Sequence, residues 1–172
     1  MLLAVGGADT LVLASPLYVD SLPYSITKAL ELIAEYRRGR EAKKFQSLVA
    51  ILNSGFPEAH QNDTALAICR LFAKEAGFTW SGGLALGMGG SFDGRAVEKL
   101  GGMLRNARAS LELTADAIAE NGIVLEEAVR LMGKPLMPKQ LYIWGGNFGW
   151  KRTAREYGAS RKLHARPYEY KT

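Results

Sequence analysis

The chain has 172 residues, with 22 Lys or Arg against 17 Asp or Glu, one Cys, two His and 19 Gly. That length suits one domain with a real core. A hydrophobic share of 48% and a charged share of 23% exclude disorder, collagen and coiled coil, and a lone Cys with two His excludes an internal disulfide and the usual zinc ligand sets.

Residues 1–19 are apolar but have no positive leading region, and Asp9 interrupts them, so they read as part of a cytoplasmic fold rather than a secretory signal. Three short apolar runs follow in chain order: TLVLA at 10–14, SLVAIL at 47–52 and GLALGM at 83–88. None alternates with polar residues, which predicts strands buried on both faces of a parallel sheet. After the first run, Pro23 suits a first helical turn and Ile26, Leu30 and Ile33 repeat at helical spacing as far as Gly39. Beyond the second run, Asn62 or Asp63 is placed to cap a helix whose inner face is Ala65, Ile68, Phe72 and Ala76, with Gly77 as its stop. Cys69, among Ile68, Leu71 and Phe72, has its plainer reading as buried core and its sharper one as a reactive thiol. Past the third run, Val97, Leu100, Leu104, Ala107, Leu111 and Ile118 form a longer stripe ending at Asn121-Gly122. Strands alternating with helices predict right-handed crossovers and an open α/β sheet with helices on both faces.

From residue 123 the pattern turns helical. Helices are predicted over 125–132, 139–144 and 151–157, the last two separated by the glycine-rich stretch 145–149. The division is therefore a 1–122 α/β domain and a 123–172 C-terminal helical extension. From Trp150 onward, seven basic residues, including Arg161, Lys162, Arg166 and Lys171, face only Glu156 and Glu169, so this tail carries the whole net charge of +5. No base-stacking or helix-turn-helix pattern accompanies it, so no nucleic-acid partner is expected. The stretch 78–92 is uncharged but broken by glycines, and no membrane span is expected.

In open α/β sheets, ligands bind outside the carboxyl ends of the strands. There the first loop carries Ser15, Pro16, Leu17, Tyr18, Val19 and Asp20, and the second carries Asn53, Ser54, Gly55, Phe56, Pro57 and Glu58. Prolines stiffen the first loop, Gly55 permits close approach in the second, and Tyr18 and Phe56 offer flat faces suited to a planar ring. The plainer readings are loop anchors for the two aromatics, helix caps for Asp20 and Glu58, and an exposed loop histidine for His60. The run 87–92 lacks the third glycine of a dinucleotide fingerprint, and Gly133-Lys134 is followed by Pro135 rather than the Ser or Thr of a Walker motif. Trp144, Phe148 and Trp150 read either as a lid or as an anchor for the C-terminal segment.

The stretch 8–23, an acidic residue followed by an apolar strand and Ser15-Pro16-Leu17-Tyr18, resembles the third strand and flavin-ring loop of flavodoxin-like NAD(P)H-dependent FMN reductases. Residues 53–58 resemble the next ring loop of that fold and 82–90 its last strand. The resemblance implies FMN as cofactor and NAD(P)H as substrate, with a hydride passing to the flavin and on to a small-molecule electron acceptor. It implies that Pro16, Leu17, Tyr18 and Val19 line one side of the ring and Asn53, Ser54, Gly55 and Phe56 the other. The chemistry is the flavin's, so no catalytic side chain and no metal are expected. The chain departs from the family in matching it only from the third strand onward. The expected fold is thus a flavodoxin-like open parallel sheet truncated at its N-terminus, without the loop that cradles the flavin phosphate. Three further expectations follow: a bare edge on the first strand, a homo-oligomer that covers it, and a phosphate held elsewhere. The alternative function is a non-catalytic truncated domain acting in self-association or partner binding. The basic tail, through Arg161, Lys162 and Arg166, also suits the extra phosphate of NADPH.

Overall fold

A computed structural model of the chain describes residues 1–39, 45–92, 97–166 and 168. Within them the chain forms two compact units, 1–136 and 137–172.

The first unit is α/β. Strands β1 (Thr10–Pro16), β2 (Ser47–Asn53) and β3 (Thr79–Leu86) form one parallel sheet in the order β1-β2-β3. In a flavodoxin-like sheet of order 2-1-3-4-5, the last three strands lie side by side in this way. The register sets Pro16 opposite Asn53 and Asn53 opposite Leu86, so the three C-terminal strand ends are level. Strand β3 covers Thr79–Leu86 rather than 83–88, because pairing with β2 starts at Thr79, and a bulge at Ser81 shifts its register.

Helices lie on both faces. On one, α2 (Tyr24–Arg37) and α3 (Asp63–Glu75) bury Leu30, Ile33, Ala65, Cys69 and Ala73 against Leu48, Ala50 and Leu52 of the sheet. On the other, α4 (Arg105–Asn121) and α5 (Glu126–Met132) contribute Ala107, Ala128 and Met132 to a cluster with Val49 and Leu84. Each fully buried leucine of this kind contributes about 1.5–3 kcal/mol. The inner face of α3 holds Ala65 and Ala76 in the core and Phe72 packed against it, as expected; Ile68 departs from it by being exposed, and Cys69 and Ala73 are buried in its place. Cys69 is therefore core, and burial pushes its thiol up to about 11, so it stays protonated at neutral pH.

Strand β1 is not buried on both faces. Leu11 and Leu13 pack against the α2/α3 side, but the cluster on the α4 side includes no β1 residue, which leaves Val12 55% exposed and Ala14 exposed. Among the described residues, no strand pairs with the outer edge of β1.

A short helix absent from the sequence reading, α1 (Leu2–Gly7), is tied to the base of the sheet. The Gln46 side-chain amide donates to the Val5 carbonyl at 2.8 Å and the Ala8 carbonyl at 2.6 Å, and its oxygen accepts from Arg37. Arg37 also donates to the carbonyls of Ala76 at 2.6 Å and Gly77 at 3.0 Å, which closes the C-terminal end of α3. Its guanidinium lies 3.9 Å from the centre of the Phe78 ring, and desolvation lowers its pKa without removing the charge.

Three boundaries differ from expectation. The stripe 97–118 is not one helix. A 3-10 segment, Val97–Leu104, is broken at Gly101 before α4 begins, and the Val97 side chain lies outside the described residues. Helix α5 belongs to the first unit, because Val124, Ala128 and Met132 are core and Ser110 donates to the Ala128 carbonyl at 2.7 Å. The division therefore falls after Leu136 rather than after residue 122. In the second unit, α6 (Lys139–Glu156) runs unbroken through Gly145, Gly146 and Gly149, since glycine weakens a helix by only about 1 kcal/mol per residue. Its Trp144 and Phe148 rings stack at 5.9 Å, and both, with Trp150, are exposed. Arg161, Lys162 and Arg166 follow α6 and are exposed, while Glu169 and Lys171 lie outside the described residues. Among the described residues, no helix is long and apolar enough to cross a membrane.

Candidate functional site

The level strand ends form a shelf whose loops are held by backbone hydrogen bonds. The Leu17 amide donates to the Asn53 carbonyl at 2.8 Å and the Ser54 amide to the Leu86 carbonyl at 3.0 Å. Gly89 donates to the Ser54 carbonyl at 2.7 Å and Met88 to the Phe56 carbonyl at 2.6 Å. The fully buried Asn62 donates from Nδ2 to the carbonyls of Ala59 at 2.9 Å and Leu86 at 3.2 Å, while its Oδ1 finds no partner among the described residues. A Cβ at Gly87 would stand 2.6 Å from the Pro57 carbonyl oxygen, so only glycine lets the third loop lie this close to the second. The glycine run thus serves close packing of backbone against backbone.

On the α4 side of this shelf lies a cavity of about 370 Å³. Its floor is Ser15, Pro16, Asn53 and Leu86, and its walls include Leu104, Arg108, Leu111, Met132 and Phe92. The size falls within the usual range for small-molecule pockets, ~300–1,000 Å³, and the lining is mostly apolar with a few polar groups.

Of the eight residues expected around a ring, the structure brings Pro16 and Asn53 to the cavity. Leu17 packs towards the α2/α3 cluster, and Ser54 is buried with its hydroxyl 3.4 Å from Asn62 Nδ2. Tyr18 at 65%, Val19 at 96% and Phe56 at 43% are exposed on their loops, as is Gly55. Asp20 caps nothing: Pro23 occupies the N-cap of α2, and Asp20 sits instead in a tight turn. Glu58 and Asn62 occupy N-cap positions without a capping bond from their side chains, and His60 is exposed.

Asp20 and Val19 form the centre of a turn closed by Tyr18 N–H to Ser21 O at 2.9 Å, and both have positive φ, 61° and 51°. A β-branched residue is strained in that region, and Val19 buries almost nothing in return. Val19→Asn is therefore expected to raise stability by about 1 kcal/mol, read as a higher urea midpoint at unchanged slope. A lowered midpoint would show that the turn is not left-handed at Val19.

Sequence reasoning missed the helical wall. Arg108 lies four residues after Leu104 and three before Leu111, so a cation falls within an apolar stripe, a signal that could have marked it. Among the described residues, no group of three or more His, Cys, Asp or Glu is placed to hold a metal ion.

Comparisons of the chain with protein-family models, with curated proteins and with solved structures returned no match.

Proposed function

We propose that this chain is a flavodoxin-like NAD(P)H-dependent FMN oxidoreductase that seats the flavin ring in the cavity at the C-terminal ends of its strands. The carrying observation is the place of that cavity: it opens at the level strand ends, with Pro16 and Asn53 from the two expected ring loops on its floor. FMN held there would supply the two-electron chemistry between NAD(P)H and a small-molecule acceptor. The residues present suit the ring. Leu86, Leu104 and Met132 give apolar contact, the Asn53 amide offers a donor and an acceptor to a heterocycle edge, and the apolar walls exclude water. Tyr18 and Phe56, exposed on the same loops, supply aromatic faces for stacking.

The test is titration of FMN with the full chain. Saturable quenching of FMN fluorescence at micromolar protein is expected. Ala14→Phe should abolish it, because Ala14 lines the cavity yet is exposed, so a larger side chain there fills the space without overpacking the core. Absence of quenching, together with a concentration-dependent oligomer in size-exclusion chromatography, would instead favour self-association through the bare edge and exposed Val12 of β1.

A further inference from the structure

We infer that Arg108 is the anion-recognising residue of the cavity and holds the phosphate of FMN, an inference that rests on the flavin reading above. Among the described residues that line the cavity, Arg108 is the one charged side chain. It is half-buried on α4, between Leu104 and Leu111 on the face that walls the cavity. The two polar neighbours on the floor do not offer a cationic alternative. The Ser15 hydroxyl donates to the Pro16 carbonyl at 2.9 Å, and Asn53 carries a neutral amide.

A cavity of this lining selects a ligand with an apolar body and one anionic group. The apolar walls favour the body by excluding water from it. They also lower the local dielectric, so attraction between a guanidinium and an anion is stronger there than on an open surface. The planar guanidinium fork of arginine matches two phosphate oxygens at once. Arg108 would hold that phosphate from a helix that walls the cavity at the strand ends.

The experiment compares FMN with riboflavin, which carries the same ring without the phosphate. Dissociation constants for both are measured by fluorescence titration on the full-length wild type, on Arg108→Gln and on Arg108→Lys. The expected result is a wild-type preference for FMN. Arg108→Gln should weaken FMN about tenfold, the loss of one charge-assisted pair, and leave riboflavin within about twofold. Arg108→Lys should recover part of the FMN affinity, and wild-type FMN binding should weaken with added salt while riboflavin binding does not. Unchanged riboflavin affinity also reports that the variants are folded. Flavin binding with the same FMN-to-riboflavin ratio in wild type and Arg108→Gln would overturn this assignment alone. Failure of both flavins to bind the wild type would overturn the flavin reading and this inference with it.

Discussion

Gly82→Ala is expected to lower unfolding stability by about 3–5 kcal/mol, the sum of a backbone term and a packing term. At Gly82 φ is +133°, a conformation that residues with a Cβ rarely adopt. The added Cβ would also stand 2.6 Å from Val124 Cβ and 2.9 Å from its Cγ2. Val124 cannot easily retreat, since it is buried in the α4/α5 cluster and its amide donates to the Ser81 carbonyl at 2.8 Å. Trimming the neighbour tests the division between the two terms. Val124→Ala removes the Cγ2 contact but leaves the closer Cβ, so it should rescue little of the loss. Urea or guanidinium unfolding measures both variants, and a cost below about 1 kcal/mol for Gly82→Ala would mean that β3 does not bulge at Ser81.

The second large effect is expected at Leu104, where replacement by alanine should cost about 2–4 kcal/mol. Leu104 is 1% exposed, it ends the segment that leads into α4, and its side chain both packs in the core cluster and walls the cavity. Because the space left by the deleted methyl groups would merge with an existing cavity, relaxation around it is limited. Leu111→Ala is the matched control: it lines the same cavity but is exposed, so its stability cost should stay below about 1 kcal/mol while the cavity wall changes. Equal costs at the two positions would show that Leu104 is not part of the core.

These two positions illustrate what was legible in the sequence and what was not. The three strands and the helices between them announced themselves, because uncharged runs such as 47–52 and stripes such as Leu30 and Ile33 carry the period of their structure. The loops at the strand ends were legible for the same reason, since they are whatever follows a strand. The start of β3 was not, because Thr79, Trp80 and Ser81 do not read as an apolar run, and a bulge leaves no periodic mark. The unbroken helix α6 was hidden by three glycines whose individual costs are too small to stop it. Strand β1 looked like a strand buried on both sides because Val12 is apolar, yet apolar identity does not specify that a helix covers it. Arg108 was passed over because an arginine on a helix usually faces water. Only its position between Leu104 and Leu111 turns it inward.

The hydrogen bonds that join Asn53, Ser54 and Phe56 to Leu17, Leu86, Met88 and Gly89 bear on the cost of recognition. A loop still free to move must surrender configurational entropy when it closes on a ligand, and affinity falls accordingly. Here the backbone beneath the cavity is already committed by these bonds. Ligand contact at this floor would draw on a segment that opens with the central strands rather than before them, the reverse of the usual arrangement in which binding loops are the first parts to come loose.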